Sequence, residues 1–257
     1  MKIIFLGTGP SLGVPVPTCH CDTCSSKNSK DKRLRSSIYI EYRNKKFVID
    51  CGPDFRQQVL SNSIEEIDFI LLTHKHNDHV GGLDDVRPFN YIQRNNMPIY
   101  GSKDTLSDVK TRFYYSFEKR PYPGAPKFEL IELEKGKSFD VDGLEIVPIE
   151  VLHGSMPILA YRIGDFTYVT DAKYIDDDQV KLIKGTKYLV VNSLLVNRSH
   201  SIHFNLREAL DFIKRINPKK AYLTHLSHNF PPTEDIGGLL PENVQLAYDG
   251  LELVFKF

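Results

Sequence analysis

Short apolar runs rich in branched residues recur along the chain, separated by polar or glycine-containing turns. This pattern predicts buried β-strands. The predicted strands lie at residues 2–6, 37–42, 46–50, 67–72, 99–101, 128–133, 144–151, 158–163, 166–170, 188–192 and 220–223, with one or two more within 244–257. Helical patterns begin near Asp54 and occupy residues 82–94, 103–113, 176–183 and 206–216.

The order of these elements predicts the fold class. Many strands come first, then strands alternate with helices, and neither an internal repeat nor a linker interrupts the chain. An α/β (α+β) fold follows, in which two sheets pack together and helices cover them. A single domain spanning residues 1–257 is an ordinary size for this class.

One segment, residues 10–35, has no apolar periodicity, and its three early prolines disfavour regular structure. A loop of this length is uncommon in a compact domain unless something orders it. Cys19, Cys21 and Cys24 lie within six residues and predict a structural zinc site. Zinc requires a fourth ligand. His20 competes for that place with strained geometry, because ligands flank it, so we expect the fourth ligand from elsewhere.

Composition narrows the classes of partner. Lys plus Arg equals Asp plus Glu at 33 each, so the formal net charge is zero and no long nucleic acid partner is expected. No run reaches the roughly 18 apolar residues needed to cross a bilayer, and the apolar start is too short for a secretory signal. We therefore expect a cytoplasmic protein without a membrane partner, whose reduced thiols are available to metals.

The segment Thr73-His74-Lys75-His76-Asn77-Asp78-His79 holds four metal-competent side chains immediately after a predicted strand. In an extended chain, His74 and His76 point to the same side. Imidazole and carboxylate together suit zinc, manganese or iron rather than calcium. The alternative is a polar loop that happens to contain three histidines. Asp50, at another strand end, is a candidate hydrogen-bond partner for a metal-bound imidazole.

Three further candidate ligands follow predicted strands: His153, Asp171 and His225. Alone, each is an ordinary loop residue, but ligands at several strand ends can converge on one crevice. Seven ligands exceed the needs of one ion and predict two. The expected allocation is His74, His76 and His153 on one ion, Asp78, His79 and His225 on the other, and Asp171 bridging. Such ions lie about 3.5–4 Å apart and can activate a water for hydrolysis of a phosphodiester.

This pattern of His-x-His-x-Asp-His, then His, Asp and His, resembles the metallo-β-lactamase superfamily over nearly the whole chain. The Gly7-Thr8-Gly9 loop, the three loop cysteines and the ending Thr224-His225-Leu226-Ser227-His228-Asn229-Phe230 are similar to the PhnP-type phosphodiesterases. The resemblance implies an αββα sandwich of two mixed sheets. It also implies that His228 completes the structural zinc site and that His203 lies over the metals as the general acid.

The expected function is therefore hydrolysis of small cyclic phosphodiesters, such as ribosyl cyclic phosphate or 2′,3′-cyclic nucleotides. The expected cofactors are two catalytic Mn²⁺ or Zn²⁺ ions and one structural Zn²⁺, with Asp78, Asp171 and His203 carrying catalysis. The sequence around His200 departs from the carbon–phosphorus lyase enzyme of this group. Two alternatives are a transfer-RNA 3′-processing-type nuclease and a non-catalytic metal-bound binding protein. An aromatic segment near Tyr114 is interpreted as local packing, a substrate lid or a subunit contact, and a homodimer is possible.

Overall fold

The computed structural model describes residues 1–236 and 238–255 and contains fourteen strands within them. The strands are β1 Lys2–Gly7, β2 Ser37–Tyr42, β3 Lys45–Ile49, β4 Phe69–Leu71, β5 Met97–Gly101, β6 Phe128–Glu132, β7 Phe139–Val141, β8 Leu144–His153, β9 Met156–Ile163, β10 Phe166–Val169, β11 Tyr188–Asn192, β12 Lys220–Thr224, β13 Val244–Leu246 and β14 Glu252–Val254. The α-helices are α1 Asp22–Ser25, α2 Phe55–Ser61, α3 Asn77–Val80, α4 Arg87–Gln93, α5 Lys103–Arg112, α6 Asp177–Ile183 and α7 Leu206–Ile216.

The strands form two seven-stranded mixed sheets. The first has the order β14-β1-β2-β3-β4-β5-β6 and the second β13-β12-β11-β10-β9-β8-β7. Each sheet is antiparallel in one part and parallel in the other, with β3 to β6 parallel in the first and β10 to β13 parallel in the second. Parallel neighbours end at the same edge, so residues that follow these strands are brought together.

Three clusters of apolar side chains fill the space between the layers of the fold. One lies between the sheets and includes Phe5, Phe47 and Tyr168. A second packs the first sheet against α2, α4 and α5, and a third packs the second sheet against α6 and α7. The predicted αββα sandwich with helices on the outer faces is therefore confirmed.

The predicted elements are present, with several differences, among them the unpredicted single-turn helix α3. The helix expected at 82–94 is wrong as a single helix: a 3₁₀ turn, Leu83–Val86, precedes α4, which begins one residue before Pro88. Proline lacks the N–H that a helix interior needs and favours the first turn. The loop at 10–35 contains the unpredicted short helix α1 and a 3₁₀ turn, Ser29–Asp31, and β7 was also unpredicted.

The predicted C-terminal strands are two, β13 and β14, and they belong to different sheets. The last two positions of the predicted range, 256 and 257, lie outside the described residues. No helix in the described part of the chain has the length and apolar character needed to cross a membrane.

Candidate metal centre

The seven candidate ligands lie at one edge of the sandwich, where strands from both sheets end. His74 and His76 follow β4, and Asp78 and His79 occupy the single turn of α3. In the second sheet the remaining three are the last residue of β8 and residues following β10 and β12, namely His153, Asp171 and His225. The backbone N–H of Leu159 donates to the Thr73 carbonyl (2.9 Å), which joins the two groups across the sheets.

Donor atoms of these residues converge in groups of three. Within each group one ligand atom per residue lies within 4.8 Å of the others, and the groups are His74, His76 and His153; Asp78, His79 and His225; and His74, His79 and Asp171. The first two groups have the composition expected for two ions, and Asp171 reaches members of both. The structure thus places all seven side chains together, while their role as ligands stays a prediction.

Distances and unpaired atoms fit divalent ions. The Nε2 atom of His74 lies 3.1 Å from Nδ1 of His76, close to the roughly 3.3 Å that separates two imidazole nitrogens on one tetrahedral zinc. The Nε2 atoms of His79 and His225 are buried without a hydrogen-bond partner. Buried polar atoms are normally paired, so these two nitrogens are available to bind a cation. Asp171 lies beside both, at 3.4 Å from His79 and 3.0 Å from His225.

Asp50 orients the imidazole of His79. Its carboxylate is fully buried and accepts a hydrogen bond from Nδ1 of His79 (2.7 Å), which leaves Nε2 for an ion. The backbone N–H and hydroxyl of Thr73 donate to the same carboxylate (2.8 Å each). The hydroxyl oxygen of Thr73 also accepts from Nδ1 of His74 (3.0 Å). Thr73 was not identified from the sequence, although it directly precedes a candidate ligand.

Three residues of the centre have left-handed backbone conformations. The φ angles are +66° at Asp50, +57° at Asp171 and +57° at His225, and each residue closely follows a strand. Non-glycine residues rarely adopt such angles, and they concentrate at functional sites, where the surrounding structure holds them. The sharp change of direction after each strand aims the side chain into the crevice.

Asn192 holds the chain beside Asp171. Its fully buried side-chain amide accepts a hydrogen bond from the backbone N–H of Ala172 (2.8 Å) and donates to the carbonyl of Ala172 (3.0 Å). Nδ1 of His153 donates to the Asp171 carbonyl (2.8 Å). Sequence reasoning missed Asn192; the only signal was a polar residue at the end of an apolar strand.

Electrostatics within the centre are dominated by burial and charge pairing. Burial disfavours the Asp171 carboxylate, but the adjacent His225 and His79 hold its pKa well below the ordinary value. Burial likewise opposes the charged form of His79, yet Asp50, Asp171 and Asp78 raise its pKa well above the ordinary value. The carboxylates therefore favour positive charge at this place, and a divalent cation bound at Nε2 of His79 would take the place of the proton.

His203 lies at the rim of the centre, just before α7. Its Nδ1 atom is 3.6 Å from an Asp171 carboxylate oxygen and has no hydrogen-bond partner. Its ring centroid lies 4.5 Å from that of His153. Burial, with a contribution from His225, lowers the pKa of His203 to about 3, so the ring is neutral at pH 7. The structure thus brings His203 next to His153 and Asp171; its position over metal ions and its role as general acid stay predictions.

The second cluster consists of Cys19, Cys21, Cys24 and His228. The three Sγ atoms lie 3.2, 3.6 and 3.6 Å from Nδ1 of His228, and the cysteines are free of disulfides. A tetrahedral zinc with sulfur at 2.3 Å and nitrogen near 2.0 Å separates such atoms by about 3.5 Å. The observed spacing fits that geometry.

Several other residues raised by the sequence lie outside both clusters. His20 is exposed and belongs to no group of candidate ligands among the described residues. Cys51 is a buried free thiol in the first sheet's outer core. In the aromatic segment, Tyr115 packs on Phe113 and donates to Asp84, whereas Tyr114 is exposed.

A cavity of about 430 Å³ opens beside the centre. His203 and His225 form part of its lining, as do residues of the N-terminal loop, of the 194–200 segment and of the 227–229 segment. The cavity thus lies between the two candidate metal sites, and its size is at the small end for ligand pockets, about 300–1,000 Å³.

Comparison with known proteins identifies the family. A family model described as a beta-lactamase superfamily domain matches residues 45–226, which is more than half of the chain. The chain belongs to the beta-lactamase superfamily, as its two-sheet fold and strand-end histidines indicate. Membership implies divalent metal binding.

The more specific family follows from a solved structure. A protein described as a new diphosphatase from the PhnP family is 34% identical, with a TM-score of 0.91 over 99% of this chain and 98% of that chain. Within the superfamily, the resemblance to PhnP-type proteins is therefore confirmed.

Two curated relatives carry other names. An octanoyltransferase of Porphyromonas gingivalis is 39% identical over 255 residues, which are 99% of this chain and 51% of that protein. A ribonuclease Z of Macrococcus caseolyticus is 31% identical over 169 residues, which are 63% of this chain and 49% of that protein. The chain thus spans about half the length of these curated relatives.

Proposed function

We propose that the protein is a binuclear metal-dependent phosphodiesterase that hydrolyses small cyclic phosphodiesters, such as ribosyl cyclic phosphate or 2′,3′-cyclic nucleotides. The observation that carries this proposal is the convergence of seven ligand side chains with unpaired buried nitrogens on His79 and His225. One relative of known structure is named a diphosphatase and several curated relatives are named ribonuclease Z, names that denote hydrolysis at phosphorus. We carry over that reaction class.

The residues that would hold the catalytic ions are His74, His76 and His153 for one, and Asp78, His79 and His225 for the other, with Asp171 between them. When bound, two divalent cations supply a nucleophile from water at neutral pH and stabilise charge on the phosphoryl oxygens. The oxygen and nitrogen ligands suit Mn²⁺ or Zn²⁺ at this pair. The cysteine cluster would hold a structural Zn²⁺.

Around this pair, the chain's own groups position and protonate the substrate. Asp50 and Thr73 fix the imidazoles of His79 and His74, so the ligands do not reorganise during turnover. We assign to His203 the proton that the leaving alkoxide oxygen receives, since its ring lines the cavity beside His225 and packs on His153. An anionic phosphoryl group beside the ring raises the pKa that burial has lowered and so favours the protonated imidazole.

The names of the relatives do not all transfer. The Porphyromonas gingivalis relative is named for acyl transfer, but this chain matches only about half of that protein. The centre here consists of imidazoles and carboxylates, which suit the activation of water. Ribonuclease Z is a second candidate, favoured by the identity over 169 residues. The zero net charge argues against it, because binding of long nucleic acids relies on basic surfaces. Cytoplasmic location, the absence of a nucleic acid partner and a homodimer stay predictions.

The test is hydrolysis of bis(p-nitrophenyl) phosphate and 2′,3′-cyclic nucleotides by protein supplied with Mn²⁺. We expect His76→Ala to abolish turnover, while His20→Ala, which removes an exposed histidine outside both clusters, keeps it. Unchanged turnover in His76→Ala would refute the site assignment. Cleavage of a transfer-RNA precursor, with salt-sensitive binding and without diester turnover, would favour the nuclease. Absence of turnover on every substrate would favour a non-catalytic binding protein.

A further inference from the structure

The cavity beside the metal centre is lined by residues of two chemical kinds. His203 and His225 belong to the proposed catalytic centre. Four aliphatic side chains also line the cavity, Leu12 and Val16 from the N-terminal loop and Leu194 and Leu195 from the 194–200 segment, and we call these four the aliphatic wall. A substrate that reacts at the histidines and fills this cavity can place a substituent against the aliphatic wall.

The wall is held in place by contacts to the two candidate metal sites. The backbone N–H of Leu194 donates to the carbonyl of Phe204 (2.9 Å), the residue after His203. The hydroxyl of Ser227 donates to the carbonyl of Leu194 (2.6 Å). On the loop side, the backbone N–H of Val16 donates to Sγ of Cys24 (3.3 Å). The aliphatic surface is therefore a built part of the pocket, positioned relative to both centres.

The charge of the lining fits an anionic substrate. Among the described residues that line the cavity none is an aspartate or glutamate, and Arg198 is one of them, so an anionic substrate meets no repulsion there.

We propose that the group of the phosphodiester that enters this cavity packs aliphatic surface on the aliphatic wall, so that the protein favours substrates with larger aliphatic substituents at this position. The phosphoryl group lies at the histidine side, and the aliphatic substituent packs on Leu12, Val16, Leu194 and Leu195. This proposal rests on the proposed function, because it concerns the substituent of the diester that the metal centre hydrolyses. It identifies Leu12 and Leu195 as specificity-determining residues.

The experiment compares cyclic phosphates of 1,2-propanediol, 1,2-butanediol, 1,2-pentanediol and 1,2-hexanediol, with hydrolysis by the Mn²⁺-loaded protein followed by ³¹P NMR. The reacting five-membered ring is the same in all four, so the substrates differ only in the alkyl chain. Complete burial of one methylene group would raise kcat/KM about fourfold. The cavity is half open, so we expect about half of that free energy, which is about twofold in kcat/KM for each methylene. The first and last substrates differ by three methylenes, so kcat/KM should rise about eightfold across the series.

Two variants test the residues. Leu12→Ser and Leu195→Ser should each flatten the dependence on chain length, through KM rather than kcat. Leu12 is 63% exposed, so its replacement leaves the fold intact, and Leu60 in α2, 62% exposed and absent from this cavity's lining, provides the matched control Leu60→Ser. A denaturation midpoint for each variant separates loss of folding from loss of specificity.

The outcomes distinguish the two proposals. A slope that rises with chain length and falls in both leucine variants supports the aliphatic subsite. Equal kcat/KM for all four substrates, or an unchanged slope in both variants, overturns it while the phosphodiesterase stands. Absence of hydrolysis of these cyclic phosphates and of bis(p-nitrophenyl) phosphate means instead that the proposed function fails.

Discussion

Replacing Asn192 tests whether a residue outside the ligand set positions the bridging carboxylate. Asn192→Ala removes both hydrogen bonds from the side-chain amide to the backbone of Ala172. The Ala172 carbonyl keeps a hydrogen bond from the Phe204 N–H (2.8 Å), so the N–H of Ala172 is the group left unpaired. That N–H belongs to the residue after Asp171, whose left-handed backbone depends on its surroundings.

The expected magnitude has two parts. An unpaired buried N–H costs about 1–3 kcal/mol, and the lost amide volume adds a smaller term, so the free energy of unfolding should fall by about 3 kcal/mol. Residues that hold metal ligands typically contribute a factor of about 10–100 in metal affinity. Because Asp171 lies near members of both ligand groups, we expect the affinity for a second Mn²⁺ to fall by that factor.

The assay combines urea unfolding with titration of the metal-free protein, in which free Mn²⁺ is followed by electron paramagnetic resonance. Asn243→Ala is the control, since it removes one hydrogen bond to Pro218 (3.3 Å) far from the centre. Loss of stability with unchanged affinity for both ions in Asn192→Ala would show that the residue is only structural and refute the reasoning.

Two further changes test the N-terminal loop. Cys21→Ser should lower the zinc content by about one equivalent and reduce stability, because a structural zinc contributes folding free energy. Elemental analysis measures the zinc content, and Cys51→Ala is the control. An unchanged zinc content in Cys21→Ser would contradict the structural site. Asp31 accepts hydrogen bonds from Ser26 (2.6 Å) and from the Thr233 hydroxyl (2.5 Å) and N–H (2.9 Å), which outweigh burial and lower its pKa. The Asp31 carboxylate therefore contributes to the free energy of unfolding at pH values above its unfolded pKa, which is near 3.8. This contribution is lost as the pH falls through the lower pKa of the folded state. At pH 7, Asp31→Asn should lower the denaturation midpoint, with a loss of about 1–3 kcal/mol in the free energy of unfolding. Below pH 4 the stability difference between this variant and the wild type should shrink. A difference that stays constant with pH would contradict this role of the Asp31 carboxylate.

Much of the fold follows from local patterns. The apolar runs identified the longer strands because burial on both faces of a parallel sheet requires continuous branched residues. The three-residue β7 has too short a pattern to separate from a loop, and Pro88 broke a helix that apolar spacing alone made continuous. The pairing of β13 and β14 with different sheets depends on tertiary contacts that no local pattern records.

The candidate site could be predicted to a different extent for each kind of residue. The candidate ligands from His74 to His79 form a contiguous cluster after a strand, and His153, Asp171 and His225 each follow or end a strand. Because residues at the ends of several strands can converge on one crevice, the sequence alone could place these ligands together. His228 came from a family resemblance, because a polar loop histidine carries no signal of its own. Asn192 and the leucines of the cavity wall were missed, since their partners are distant in the chain and their spacing is not periodic.

The central claim is that seven side chains hold two divalent ions. Anomalous diffraction from crystals grown with Mn²⁺ tests it most directly. We expect two manganese peaks about 3.5–4 Å apart, one bounded by His74, His76 and His153 and the other by Asp78, His79 and His225, with Asp171 between them. A single peak, or peaks away from these residues, would contradict the binuclear centre.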